Sequence, residues 1–139
     1  MKKTVAFDGT AFPTHKEVLK SLGIDYPGKI HQEGVYALFD GWRIWFPNMT
    51  RQSGDWLNRF SDGETVIEEN YVGSGDPNDC RDVPDKKTKL VVFPKLKEGY
   101  VFKGVFEVER ANERTRLYRR CAESCEICFD VRRPICRWI

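Results

Sequence analysis

Apolar residues along most of this chain come in short runs that alternate with polar ones, and Gly, Pro and Asp punctuate the runs. That pattern predicts short strands joined by turns. Residues 2–7 (KKTVAF) predict an edge strand ended by an Asp8-Gly9 turn. A helix follows: Thr14 and Glu17 make a T-x-x-E capping box, Pro13 precedes the cap, and Gly23 offers a left-handed stop. Between them Val18, Leu19 and Leu22 share one face, so the helix is short, amphipathic and laid on something larger.

The segment 23–34 reads as loop, with Pro27-Gly28 as a turn signal. The runs VYALFD (35–40) and WRIWFP (42–47), joined at Asp40-Gly41, predict a β-hairpin. Trp42, Ile44 and Phe46 alternate there with Arg43 and Trp45, so one Trp must cover either the core or a groove. Residues 55–60 (DWLNRF) and 64–69 (ETVIEE) flank Ser61-Asp62-Gly63 and predict a second hairpin. After the Gly/Pro/Asp-rich loop 73–87 come TKLVVF (88–93) and GYVFKGVFEVE (99–109). In the latter, read as one strand, Tyr100, Phe102, Gly104, Phe106 and Val108 share a face, and Gly104 marks a bend, bulge or close backbone approach. TRLYRR (115–120) pairs back through the turn 111–114, and the tail 121–139 is ambiguous between helix and strand. About six to seven strands with one capped N-terminal helix predict an α+β fold built as a small mixed β-barrel, one domain over 1–139.

Composition changes this picture little. With 40% hydrophobic and 32% charged residues the chain is an ordinary globular one, and a net charge of +2 does not announce a nucleic-acid partner. The positive charge lies late, in Arg110, Arg114, Arg116, Arg119, Arg120, Arg132, Arg133 and Arg137. The start shows no secretory signal and no segment approaches a membrane span, so a cytoplasmic protein with reduced cysteines and no membrane partner is expected.

Candidate chemistry concentrates in EENYVGSGDPNDCR (68–81). Glycines flanking Ser74 let backbone N–H groups converge on an anion or a nucleotide edge. No Gly-Lys-Ser/Thr follows, which excludes a Walker loop, and no helix pattern follows, which excludes a dinucleotide fingerprint. Glu68, Glu69 and Asp79 offer acceptors, Asn78 and Arg81 offer donors, and Tyr71 offers a stacking face. A turn-rich connector is the bland alternative. The Asp-x-Lys at Asp85 and Lys87 lacks an upstream acidic partner on a strand, so a metal-dependent nuclease is disfavoured, as is a nucleophilic Cys80 with no nearby base.

The strand ending Tyr-Val-Gly-x-Gly, the polar connector and the run VVF…GYVFKGVFEVE…RLYRR resemble the PUA-like superfamily. Within it they are most similar to the SRA-like and EVE-like modules attached to bacterial restriction and other defence proteins. The resemblance covers about residues 42–120. It implies a curved β-barrel that binds nucleic acid and, in several relatives, takes a flipped modified base between aromatic side chains. By position it places Trp56, Asn58, Glu69, Tyr71, Ser74 and Asp79 near such a pocket.

Two further clusters remain. Arg116, Tyr118 and Arg120 alternate onto one strand face, a phosphate-tracking stripe that would join Arg81, or else a solvated face balanced by Glu107, Glu109 and Glu113. Cys121, Cys125, Cys128 and Cys136 could complete a tetrahedral zinc site, although a helix would stack the first three as small core hydrophobes, which is the preferred reading. No other cofactor is expected.

The residues and the resemblance together favour a non-catalytic module that binds nucleic acid or a nucleotide, with a modified base as a candidate ligand, and the resemblance implies a link to phage or defence systems. A protein-interaction module that inhibits a nuclease or defence effector is a second reading. A small protein that sequesters or processes a nucleotide signal is a third.

Overall fold

The computed structural model describes residues 2–6, 9–22, 35–39, 41–49, 56–74, 86–124 and 126–130. In chain order the elements are β1 (Lys2–Ala6), β2 (Ala11–Phe12), α1 (His15–Ser21), β3 (Val35–Phe39), β4 (Trp42–Trp45), β5 (Trp56–Ser61) and β6 (Val66–Tyr71). There follow β7 (Lys89–Val92), β8 (Lys95–Leu96), β9 (Gly99–Val101), β10 (Gly104–Ala111), β11 (Thr115–Ala122) and β12 (Glu126–Asp130). No helix among the described residues is long and apolar enough to cross a membrane.

Among the described residues the strands form three sheets, and these do not close into the expected barrel. The largest has the order β3-β4-β7-β10-β11-β6-β5, with β1-β12 and β2-β9-β8 as smaller sheets. Its neighbours run antiparallel except β4 and β7, which are parallel, so the β5–β6 hairpin is inserted within a crossover and pairs at the far edge. The single strand expected over 99–109 breaks at Phe102 and Lys103. Gly104 has a φ of 127°, which turns the chain from the three-stranded sheet into the seven-stranded one. A Cβ there would stand 2.7 Å from the Ala122 carbonyl oxygen and 2.6 Å from Arg120 Cδ, the close approach that a glycine inside a strand signals.

Both predicted hairpins form. Gly41 turns β3 into β4 at a φ of 74°, and Asp62 and Gly63 turn β5 into β6 at 51° and 69°. The helix is capped as its sequence requires, with Thr14 Oγ1 accepting from the Glu17 amide at 3.2 Å. It ends at Leu22; Gly23, the expected stop, lies outside the described residues. Val18, Leu19 and Leu22 are buried.

One face of the large sheet carries the core: Trp45, Ile67, Leu90, Val92, Phe106, Val108 and Tyr118, with Val35, Met49 and Phe60 against it. Trp45 is thus the tryptophan that covers core, its ring 4.7 Å from that of Tyr118. A second cluster ties the helix to the sheets through His15. Its imidazole stacks on Phe46 at 4.1 Å and meets Tyr100 edge-on at 4.7 Å. Phe46 in turn touches Phe93, which meets both Phe12 and Phe102. Such ring pairs contribute about 0.5–1.5 kcal/mol each beyond their burial.

The tail resolves as strand where it is described. β12 pairs with β1, so Cys128 lies opposite Thr4, and Cys121 lies exposed in β11. Cys121 and Cys128 thus lie on two strands in different sheets and not along one helix face. Cys125 and Cys136 fall outside the described residues, and no metal-ligating cluster occurs among the described ones.

Two outcomes follow. Gly104→Ala combines a strained φ with a clash against backbone and is expected to cost about 2–4 kcal/mol in urea denaturation. Burial, reinforced by the Lys95 charge, holds the His15 imidazole down to about 4. The unfolded chain protonates near its ordinary value of about 6.5, so this contribution is present above that pH and is lost as pH falls through about 4. His15→Phe keeps the ring on Phe46 and should flatten that part of the acid limb in a melting-temperature profile.

Candidate nucleic-acid site

The site is built by register. Trp56 lies opposite Tyr71, Asn58 opposite Glu69, and Phe60 opposite Ile67 across β5 and β6. Continuing onto β11, Glu69 lies opposite Arg116 and Ile67 opposite Tyr118. Because side chains alternate with period two, these rows share one face. The apolar core thus gives way, row by row, to a polar row and then to a pair of aromatic rings.

The polar row is buried: Asn58 is 7% exposed, Glu69 0% and Arg116 2%. Burying a carboxylate and a guanidinium costs several kcal/mol per ion unless they meet each other and further donors. Here they do. The Tyr118 hydroxyl donates to Glu69 Oε1 at 3.0 Å, and Arg116 Nη1 stands 3.8 Å from the same oxygen. The Arg116 guanidinium also lies over the Trp56 ring at 4.3 Å, a cation–π contact strengthened by desolvation. Trp56 meets Tyr71 edge-on, with ring centroids 5.3 Å apart.

Asn58 is different. Its Oδ1 is buried and accepts no hydrogen bond among the described residues. An amide so placed costs about 1–3 kcal/mol of desolvation that the fold does not recover.

Past Tyr71 the chain leaves the sheet toward the Gly loop. Ser74 is exposed there, and residues 75–85, including Asp79 and Arg81, lie outside the described residues. The β10–β11 turn closes over the same end. The Tyr71 amide donates to the Arg114 carbonyl at 2.7 Å, and the Arg114 guanidinium sits 5.7 Å from the Tyr71 ring centroid.

Four residues placed at a pocket by resemblance, Trp56, Asn58, Glu69 and Tyr71, therefore come together. The phosphate stripe does not stand as expected. Arg116 and Tyr118 face inward and are buried, because they continue the core face of β11. Arg120 is held elsewhere, donating to the Lys103 carbonyl at 3.5 Å and to Glu123 at 3.2 Å. The alternative of a solvated stripe face is not met either: on the opposite face, Arg119 pairs with Glu109, Lys89 with Glu107, and Arg59 with Glu68, and the solvated ladder lies there. Hydrogen bonds from Asn70 and then Arg59 hold the Glu68 carboxyl below its usual range. The residue that sequence reasoning missed at the site is Tyr118, whose partner Glu69 is 49 positions away; the period-two alternation in TRLYRR put it on one face with Arg116 without saying that this face is buried.

The profile of the SRA (SET and RING associated) domain family matches residues 2–127. The chain belongs to the SRA domain family. Its fold is also that of a solved structure, the 5-hydroxymethylcytosine-specific restriction enzyme AbaSI, with a TM-score of 0.60 at 24% identity. The similarity covers 88% of this SRA chain and 42% of that enzyme, so the chain spans less than half of AbaSI's length. No curated protein matches its sequence significantly.

Tyr118→Phe deletes one hydrogen bond to a buried carboxylate and leaves the ring against Trp45. It is expected to cost about 1.5–3 kcal/mol. Glu69→Ala strands the Arg116 charge and should cost more, about 3–5 kcal/mol. Equal midpoints for the two variants in denaturant would contradict this ordering.

Proposed function

We propose that this SRA domain is a non-catalytic DNA-binding module that accepts a flipped, modified cytosine-type base beside Trp56 and Tyr71. Family membership supports DNA as the partner. The likeness to an enzyme described as 5-hydroxymethylcytosine-specific supports a modified cytosine as the ligand class. The observation that carries the reading is Asn58: a buried amide acceptor beside aromatic rings, with its oxygen unpaired among the described residues.

Extruding a base costs a few kcal/mol, which stacking and edge hydrogen bonds must offset. Tyr71 and Trp56 supply the apolar wall. Asn58 Oδ1 accepts from the exocyclic amino group, which cytosine has and thymine lacks. Glu69, held by Tyr118 and Arg116, keeps the neighbouring strand position fixed. The reading extends to restriction-type recognition of modified DNA, in which this module binds and another activity acts.

Fluorescence anisotropy with duplexes carrying one 5-hydroxymethylcytosine or one cytosine tests it. Binding should weaken steeply with salt and favour the modified duplex. Tyr71→Ala should lower affinity for the modified duplex by about 1–3 kcal/mol. Asn58→Leu should weaken the modified and the unmodified cytosine duplex alike, since both bases carry the exocyclic amino group, while leaving thermal stability unchanged or raised, because a costly buried amide is replaced by an apolar group of similar size. No duplex binding, with a mononucleotide raising the melting temperature or a protein co-purifying, would favour the nucleotide or protein reading instead.

A further inference from the structure

We infer that Arg114, on the β10–β11 turn, is the backbone-phosphate contact at the mouth of the site. This rests on the DNA reading above, and it moves the phosphate role away from Arg116 and Arg120.

Carboxylates already engage several arginines of this sheet. Arg59 faces Glu68, Arg116 faces Glu69, Arg119 faces Glu109 and Arg120 faces Glu123. Arg114 has no carboxylate within ion-pair distance among the described residues, and it is exposed. An exposed guanidinium without an acid beside it presents its planar fork to an incoming oxyanion.

The turn that carries it is braced. Asn112 Oδ1 accepts from the Arg114 amide at 2.9 Å and from the Thr115 amide at 2.8 Å, while the Asn112 amide donates to the Thr115 carbonyl at 2.9 Å. Thr115 Oγ1 donates to Asn70 Oδ1 at 3.1 Å, and the Tyr71 amide donates to the Arg114 carbonyl at 2.7 Å. These bonds lock the turn to the end of β6. The guanidinium is steadied over Tyr71, so little freedom remains to be lost on binding. Glu113 and Arg110 are also exposed on this hairpin. Of these residues, Arg114 is the one whose side chain is held against a ring of the site.

A base extruded from a duplex brings its own phosphates to the rim of the pocket that receives it. The residue stacked on the pocket's outer ring is the one placed to meet them. Such a contact adds affinity for any duplex and carries no base information.

The test uses the whole chain, with modified and unmodified duplexes titrated across a series of salt concentrations. Arg114→Gln should weaken both duplexes alike, by roughly three- to tenfold, and reduce the slope of log affinity against log salt by about one. The preference for the modified base should be unchanged. Arg114→Lys should restore the salt slope while recovering only part of the affinity. An unchanged slope in Arg114→Gln, or a loss confined to the modified duplex, overturns the inference and leaves the DNA reading standing. Failure of the wild-type protein to bind either duplex overturns both.

Discussion

A single buried carboxylate organises this molecule. Glu69 sits at the middle of β6, with β5 on one side and β11 on the other, and it is fully buried. A carboxylate in that position needs partners, and Tyr118 and Arg116 face it. Those two partners come from a strand 49 and 47 positions away, so their interaction fixes the register between β6 and β11. A slip of one residue would turn Glu69 to the solvated ladder and bring Glu68 or Asn70 under the core. The ion pair is thus weak evidence for stability and better evidence for register.

That register decides what the sheet can do at its end. Tyr118 belongs to both worlds: its ring packs on Trp45 in the core, and its hydroxyl holds Glu69. Arg116 does the same one row further out, pairing with Glu69 while its plane covers Trp56. Each row therefore fixes the next, from core to polar row to aromatic pair. The side chains of the outer rows are held by residues that cannot move without disturbing the core, the preorganisation that the proposed function calls for.

Much of this was legible from local pattern. The Thr14 cap, the turns at Gly41 and at Asp62-Gly63 and the pairing of 115–120 with the preceding strand are all short-range, and the structure has them. Gly104 was legible as a bend, a bulge or a close approach, and the structure shows the close approach at a left-handed residue. What it does with that approach was not. Alternation across 99–109 is the same whether one strand continues or two strands meet at a left-handed residue, so a barrel and a set of open sheets predict the same pattern. The stripe of Arg116, Tyr118 and Arg120 failed for a related reason. Period two says which residues share a face, but only the partner strand says whether that face is wet. Trp56, Asn58, Glu69 and Tyr71 were placed together by resemblance rather than by spacing, and the geometry now supplies a reason for their company.

The contrast between Glu69 and Asn58 separates structure from function in this site. Both are buried polar residues on adjacent strands, opposite each other in register. Glu69 is answered by Tyr118 and Arg116 from the fold, so its burial is explained by the fold. For Asn58 Oδ1 the described residues offer no donor, and its neighbours across and along the strand are a carboxylate and two aromatic-bearing positions. An apolar residue of similar size would be the better choice for stability alone. A protein that keeps an amide there accepts a cost in the free state that a donor-bearing ligand can offset on binding. Such a cost also discriminates. On the proposed reading, a ligand lacking the donor would bury the same oxygen without relieving it, so the cost in the free protein would become a penalty against a base without an amino group.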